Sequence, residues 1–311
     1  MINGEVDPAT GLPVDALDYS PDVSVYDEMV AADGPPAWLD ELDLRPAPPR
    51  QRMGTRVGSL DGWLHADRAR EMEIAIRSRL LDERRDVVFG CAPHADDAAA
   101  ATLALVRAWL DDHGLEYAEP VRAEHPLIAA GRLVQKDLCL MVHRDDAWHL
   151  DGGVLCFPTL WQLHDRLALP TPRVHERVAH YDVIESKVDH FFDRLPPDRI
   201  VWRRNFSVKP FPNLYVPTIK TEMRAGEHVI ADDGAPYWVR SERQTLRRLP
   251  GHDVIVFAIR VQVTRASSLI RRPDIAAAMA THLRSWDEPT RAYKFAGTDL
   301  FRSFIGWLDR L

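Results

Sequence analysis

Residues 155–175 read LCFPTLWQLHDRLALPTPRVH, and the rest of the chain is organised around this stretch. It begins as an apolar strand, breaks at Pro158, continues as a short amphipathic segment and breaks again at Pro170 and Pro172. Because proline fixes φ and lacks a backbone N–H, the last two prolines predict the end of one helix and the start of the next. We therefore expect His175 at or near a helix start.

The segment that follows, 175–195, repeats apolar side chains mostly every three or four residues. This stripe predicts an amphipathic helix. An imidazole in a fixed frame beside a large apolar surface can bind the iron of haem, or zinc. His175 is thus a candidate metal ligand, with His164, His180 and His190 as competitors on nearby turns. The alternative is a hydrogen-bonded histidine at a helix start, which is the more usual role.

Composition excludes several classes of protein. With 311 residues, 46% of them hydrophobic, the chain can bury a sizeable core, and its net charge of −8 argues against a nucleic-acid surface. Cys91, Cys139 and Cys156 lack the spacings of zinc, iron–sulfur or covalent haem sites and suit a reducing cytoplasm. There is no signal peptide and no apolar run of about 18 residues, so we expect a cytoplasmic protein without a membrane span.

Two regions are predicted along the chain. Residues 1–57 are rich in proline and lack periodicity, which indicates an extended arm, whereas 58–311 are predicted to form a single domain with flanking helices. Helices are expected within 63–84 and 97–112. Asp96 or Asp97 is expected to cap the second of these helices, as an alternative to a metal site at this position.

The order of the remaining elements predicts an α+β fold. Strand-like stretches are followed or preceded by turn residues, and 143–146 are predicted to form a hairpin turn. The helices fall between the second and third strands of a five-stranded antiparallel sheet, which is the layout of a PAS-like domain. The predicted strands are 137–143, 147–157, 200–208, 236–247 and 253–264, and two helices, 273–285 and 297–310, close the chain.

Two of these strands are unusually polar. Side chains alternate in direction along a strand, so Arg240, Glu242 and Gln244 share one face while Arg243 takes the other. A pocket between helices and sheet is a common site for a flat apolar cofactor. The alternative is an exposed sheet face with cross-strand Arg–Glu pairs. The wall opposite His175 is expected to carry Arg204, Asn205, Arg240, Glu242, Arg243 and Gln244.

Six blocks spread over 63–311 carry a resemblance to a known family. They are VQKDLCLM (134–141), CFPTLW (156–161), RRNFS (203–207), VRSERQTLRRLP (239–250), FAIR (257–260) and AYK (292–294). In this order, with His175 at its matching distance, they resemble the haem-dependent oxidative N-demethylase α-subunit family, and ERQTLRRLP is the most specific part. That family is similar to haem-binding PAS sensors in fold and removes a methyl group from a small secondary amine with O₂.

The resemblance implies a cofactor and a partner. Haem b, with its iron on His175, is expected to contact Trp161, Arg243 and Gln244 as well. Electrons are expected from NADPH through a separate reductase subunit that carries flavin and an iron–sulfur centre. The implied activity is that of an iron-dependent monooxygenase acting on a small amine. The alternatives are a haem-based gas or redox sensor and a non-catalytic haem-binding subunit.

Catalytic roles follow from the chemistry of oxygen reduction. An arginine aimed at the bound oxygen stabilises the negative charge that develops there. Arg240 is the first candidate for this role and Arg204 the second. Glu242 is expected to position an ammonium substrate or to orient the arginine, and Asn205 is the remaining candidate on this wall.

Overall fold

Seven antiparallel strands form the sheet at the centre of the described part of the chain. Their spatial order is β1-β5-β6-β7-β3-β4-β2. The strands are β1 (Arg56–Gly58), β2 (Phe89–Cys91), β3 (Asp137–Arg144), β4 (Ala147–Val154), β5 (Ile200–Lys209), β6 (Trp238–Arg248) and β7 (Val254–Arg265).

Helices surround this sheet in a computed structural model. It describes residues 5–7, 10–46, 54–119, 121, 123–176, 178, 180–181, 185–218, 230–295 and 298–311. None of the described helices is long and apolar enough to cross a membrane. They are α1 (Val14–Leu17), α2 (Val23–Asp33), α3 (Arg70–Glu83), α4 (Arg85–Val88), α5 (Asp96–Asp112), α6 (Pro126–Leu133), α7 (Thr171–Val174), α8 (Glu185–Asp193), α9 (Pro273–Arg284), α10 (Glu288–Phe295) and α11 (Thr298–Leu308).

The α+β class is confirmed, but the five-stranded sheet is wrong in number. The five predicted strands correspond to β3 to β7, and α7 and α8 lie between the second and third of them. The additional strands β1 and β2 pair with β5 and β4. Each is only three residues long, and a strand this short has no periodicity to detect.

Two local predictions at turns have different outcomes. The hairpin turn is confirmed, because Asp145 and Asp146 have φ of 49° and 59° and join β3 to β4, as a two-residue hairpin loop requires. The aspartate cap is wrong. The capping residue of α5 is Ala95, which makes no side-chain cap, and Asp96 lies in the first turn, where it accepts a hydrogen bond from His125 Nε2 at 3.2 Å.

The segment that contains His175 differs from its prediction. Residues 161–169 form turns, and α7 is a single helical turn that ends at Val174, so His175 follows a helix and does not start one. Pro170 and Pro172 occupy the first positions of α7. Proline is favoured there because its missing N–H would have had no helical partner. The prolines therefore begin the helix that precedes the histidine.

The extended arm is also wrong within the described residues. Two helices, α1 and α2, and a short 3₁₀ helix at Ala37–Glu41 occupy it. Tyr19, Tyr26 and Leu39 of this region are buried in the core. Proline here separates short helices, and tertiary packing supplies the order that local periodicity does not. The division into an arm and one haem-binding domain remains a prediction.

The sheet separates two environments, named here the front face and the back face. The front face carries Val201, Leu246 and Phe257, which pack against side chains of 155–195. By alternation and pairing register, Arg203, Asn205, Glu242 and Gln244 share this face. The back face carries Arg204, Arg243 and Arg260, which are covered by the N-terminal region and α3.

Candidate functional site

His175 is held in one orientation by the turn before it. Its Nδ1 atom lies 2.9 Å from the carbonyl oxygen of Thr171, and because a carbonyl can only accept, Nδ1 carries the proton. Its ring stacks on Tyr181 with 4.5 Å between centroids. The Thr171 hydroxyl donates to the carbonyl of Trp148 at 2.9 Å, which ties this turn to β4. Nε2 therefore keeps its lone pair and can bind a metal ion.

The charge state of His175 suits a ligand. Burial lowers the pKa of this imidazole to about 4, and the positive charges of Arg203 and Arg166 lower it further, against the effect of the Thr171 hydrogen bond. A neutral imidazole is the form that coordinates metals.

The competing histidines lie in other environments. The side chain of His164 is 53% exposed beside Asp165, and His190 is exposed. His180 Nε2 lies 2.6 Å from a carboxylate oxygen of Asp287. Of these histidines, His175 has the environment that best suits a ligand.

Glu242 is the centre of a polar cluster on the front face. Its Oε1 accepts a hydrogen bond from the Thr159 hydroxyl at 2.5 Å, and its Oε2 accepts from Gln244 Nε2 at 3.0 Å and Asn205 Nδ2 at 3.3 Å. Gln244 Oε1 in turn accepts from Arg203 Nε at 2.7 Å. The expected grouping of Glu242, Asn205 and Gln244 is thus present.

The Glu242 carboxyl is ionised in this environment. Burial by itself raises the pKa of Glu242, but Arg240, the Thr159 hydroxyl, Lys294 and the Asn205 amide together lower it below its usual value. Lys294 comes from α10, and burial lowers its pKa to about 8, with Glu242 opposing and Arg203 adding to this shift. The site therefore combines an anion with cations whose charge responds to their surroundings.

Arg240 lies on the front face, but its donors are directed at the backbone. The side chain is 2% exposed. Its Nη1 donates to the carbonyl of Asn213 at 3.0 Å, and its Nη2 donates to those of Phe157 at 2.9 Å and Pro158 at 3.2 Å. Its Nε donates to Thr159 Oγ1 at 3.0 Å. Four of the five N–H groups of this guanidinium are thereby used within the protein.

Two predicted site residues lie on the back face, away from His175. Arg204 donates to Glu41 at 2.6 Å, and Arg243 donates to the Gly62 carbonyl at 2.8 Å. Their register places them opposite one another on β5 and β6. Trp161, by contrast, is half-buried and packs against the front-face cluster. The structure thus does not bring Arg204 and Arg243 together with the other predicted residues.

Three residues of this region escaped the sequence reasoning. Thr159 holds Glu242, Arg203 influences both His175 and Gln244, and Lys294 influences Glu242. All three lie inside sequence blocks singled out above: CFPTLW, RRNFS and AYK. Membership of such a block, combined with strand alternation from Asn205, could have identified Arg203 as a front-face residue.

A fixed neutral histidine beside a carboxylate-bearing sheet defines an α+β protein with a candidate ligand site between the sheet and a connecting segment. Residues 108–299 match the sequence model of a family described as haem-dependent oxidative N-demethylase, alpha subunit-like. The match covers more than half of the chain, and the chain belongs to this family. The family name describes a haem-dependent oxidative enzyme and implies a partner subunit.

The residues around His175 fit a haem group. The imidazole is neutral, and its Nδ1–H is fixed by a backbone carbonyl, as is usual for metal-binding histidines. Apolar side chains such as Leu246 and Phe257 line the same face of the sheet. Arg166 and Arg203 are cations close enough to act on His175, and guanidinium groups suit the carboxylates of haem propionates.

Proposed function

We propose that this chain is the catalytic subunit of a haem-dependent, O₂-activating monooxygenase that oxidises a small amine, with N-demethylation as the favoured reaction. The observation that carries the proposal is the donor set of His175, a neutral imidazole with Nδ1–H fixed and Nε2 available. Haem b, when bound, would supply iron and the redox chemistry with O₂. The order of the five longer strands, with helices inserted between the second and third, supports the PAS-like comparison.

In this proposal the front face binds and orients the substrate. Glu242 accepts the N–H of the amine, while Asn205 and Gln244 hold its second carboxylate oxygen. Trp161 and Gln244 are the proposed contacts to the cofactor. Arg240 supports the loop at 157–159, because its N–H groups already have acceptors there.

Electrons are proposed to come from NADPH through a flavin and iron–sulfur reductase. NADPH transfers a hydride, whereas haem accepts electrons one at a time, so another centre must divide the pair. Cys139 and Cys156 are buried, and burial raises the pKa of Cys156 to about 12. The described cysteines therefore do not suit an iron–sulfur cluster, which needs exposed, clustered thiolates. This supports a partner protein as the electron source.

Haem loading tests the ligand assignment. We expect His175→Ala to lose most of the haem and its Soret absorbance, because the iron loses its protein ligand. His164→Ala is the matched control, since it removes an exposed imidazole from the same segment, and it should retain haem. Full haem in His175→Ala together with loss in His164→Ala would overturn the assignment.

Oxygen consumption tests the activity. Haem-loaded protein in air should reduce O₂ on NADPH addition only when a flavin–ferredoxin-type reductase is present, and amine should be consumed in step. Haem that is reduced by the reductase without amine oxidation would favour a sensor or a non-catalytic subunit. Rapid reduction by NADPH with no added protein would contradict the proposed two-component system.

A further inference from the structure

The loop that carries Thr159 is anchored from beneath the sheet by a buried ion pair. Asp137 accepts hydrogen bonds from the backbone N–H of Cys156 at 2.7 Å and of Phe157 at 3.1 Å. Arg77 donates to the same carboxylate at 2.7 Å, and both side chains are fully buried. A carboxylate that binds two successive N–H groups fixes the backbone that carries them. The loop therefore enters the site along one path.

Arg240 fixes the same loop from the side of the sheet. Its Nη2 binds the carbonyls of Phe157 and Pro158, the two residues that precede Thr159. Donors on one side and acceptors on the other leave the backbone of 156–158 little freedom. The position of Thr159 Oγ1 is thus determined by Asp137 and Arg240 together.

The hydroxyl proton of Thr159 has one possible direction. Arg240 Nε lies 3.0 Å from Oγ1, and a guanidinium can only donate. The hydroxyl must therefore accept from Arg240 and donate its own proton to Glu242 Oε1, 2.5 Å away. Hydrogen bonds to a carboxylate favour its charged form and fix its rotamer.

The acceptor capacity of Glu242 is almost filled. An ionised carboxylate offers about four lone-pair positions. Thr159 takes one on Oε1, and Asn205 and Gln244 take those on Oε2. One position on Oε1 is therefore left for a further donor.

From this geometry we propose that Thr159 is a positioning residue, which holds Glu242 ionised and oriented so that its remaining acceptor position binds the N–H of the substrate amine. The inference rests on the proposed function for the identity of the substrate. It also defines a substrate class, because primary and secondary amines carry an N–H whereas quaternary ammonium ions do not. The charged groups that face Glu242 are Arg240 on its own strand and Lys294 on α10.

A pair of substitutions isolates the hydroxyl. Thr159→Val keeps the branched shape and removes the donor, whereas Thr159→Ser keeps the donor. Loss of a hydrogen bond to a charged group should raise the pKa of Glu242 by about one unit. Binding of dimethylammonium, measured by calorimetry, should therefore weaken at a higher pH in Thr159→Val, with its acid limb displaced by about one pH unit. Thr159→Ser should retain the limb of the unsubstituted protein.

Infrared titration of the protonated Glu242 carboxyl reads the same effect without amine or turnover. Glu242→Gln identifies the band, and thermal unfolding measures how far Thr159→Val destabilises the fold by leaving Arg240 Nε without its acceptor. Identical Glu242 titrations in Thr159→Val and the unsubstituted protein would overturn the positioning role. Equal binding of tetramethylammonium and dimethylammonium would overturn the N–H assignment. Failure of haem loading with the infrared shift present would count against the proposed function alone.

Discussion

The two faces of the sheet use the same residue types for different purposes. Arg203 and Arg204 are adjacent on β5, yet Arg203 lies on the front face, half-buried, and binds Gln244 at 2.7 Å. Arg204 lies on the back face, where its side chain is 1% exposed and binds Glu41 at 2.6 Å. Strand alternation alone separates them. One sequence block therefore supplies both a candidate site and a stabilising network.

The back face is an internal ion-pair network. Arg260 binds Asp67 and Glu73, each at 2.7 Å, and Glu73 is fully buried. Burial raises the pKa of Glu73 to about 7, although Arg260 opposes this shift. Lys136 is also buried and donates to the Trp63 carbonyl at 2.7 Å. These charges hold the N-terminal region and α3 on the sheet.

The largest effect is expected from breaking this network at its centre. Arg260→Ala would leave Asp67 and Glu73 buried without their cation, and removing one partner of a buried pair costs about 3–5 kcal/mol. Urea denaturation should show this loss in the free energy of unfolding. Arg265→Ala is the matched control on the same strand, because its pair with Asp27 is exposed and should cost less than about 1 kcal/mol. Equal losses in the two variants would contradict the network.

The adjacent arginines give a sharper test of the two faces. Arg204→Ala should reduce the free energy of unfolding by about 2 kcal/mol, because it removes charge-assisted hydrogen bonds to Glu41 and a buried one to Gln262. Arg203→Ala should cost about 1 kcal/mol or less. Urea denaturation of both variants measures this difference.

The same pair should have the opposite ranking at His175. Burial is the main cause of the low pKa of His175, and Arg203 lowers that pKa further. Arg203→Ala should therefore raise it, whereas Arg204→Ala should leave it unchanged. Nuclear magnetic resonance titration of the His175 ring in the haem-free protein reports the result. A larger shift in Arg204→Ala would show that the faces are assigned wrongly.

The smallest effect is a pH dependence of stability that belongs to the front face. The pKa of His175 is lowered from 6.5 to about 4 by burial, so between these values the unfolded chain binds a proton that the folded haem-free protein does not. The contribution of His175 to stability is therefore present above pH 6.5 and lost as pH falls towards 4, with a slope of at most about 1.4 kcal/mol per pH unit. His175→Gln should remove this component from denaturation curves measured at several pH values. An unchanged slope would show that His175 is accessible to protons.

Local patterns were enough to predict the elements whose signals lie within a few residues. The hairpin at Asp145 and Asp146 and helix α5 follow from apolar periodicity and polar turn residues. The separation of Arg243 from Glu242 follows from strand alternation. The three-residue strands β1 and β2 were missed because pairing with a distant strand, and not local pattern, defines them.

The sequence by itself determined which chemical groups the site contains, namely an imidazole after two prolines and a strand that alternates Arg240, Glu242 and Gln244. Tertiary structure decided how they are used. Arg240 is directed at Thr159, 81 residues away in the chain, and to carbonyls of the same loop. A hydrogen bond between residues so far apart leaves no local pattern, because it depends on which backbone segment folding brings within 3 Å of the donor. The change of Arg240 from an expected oxygen-facing donor to a proposed support of Thr159 has this physical origin.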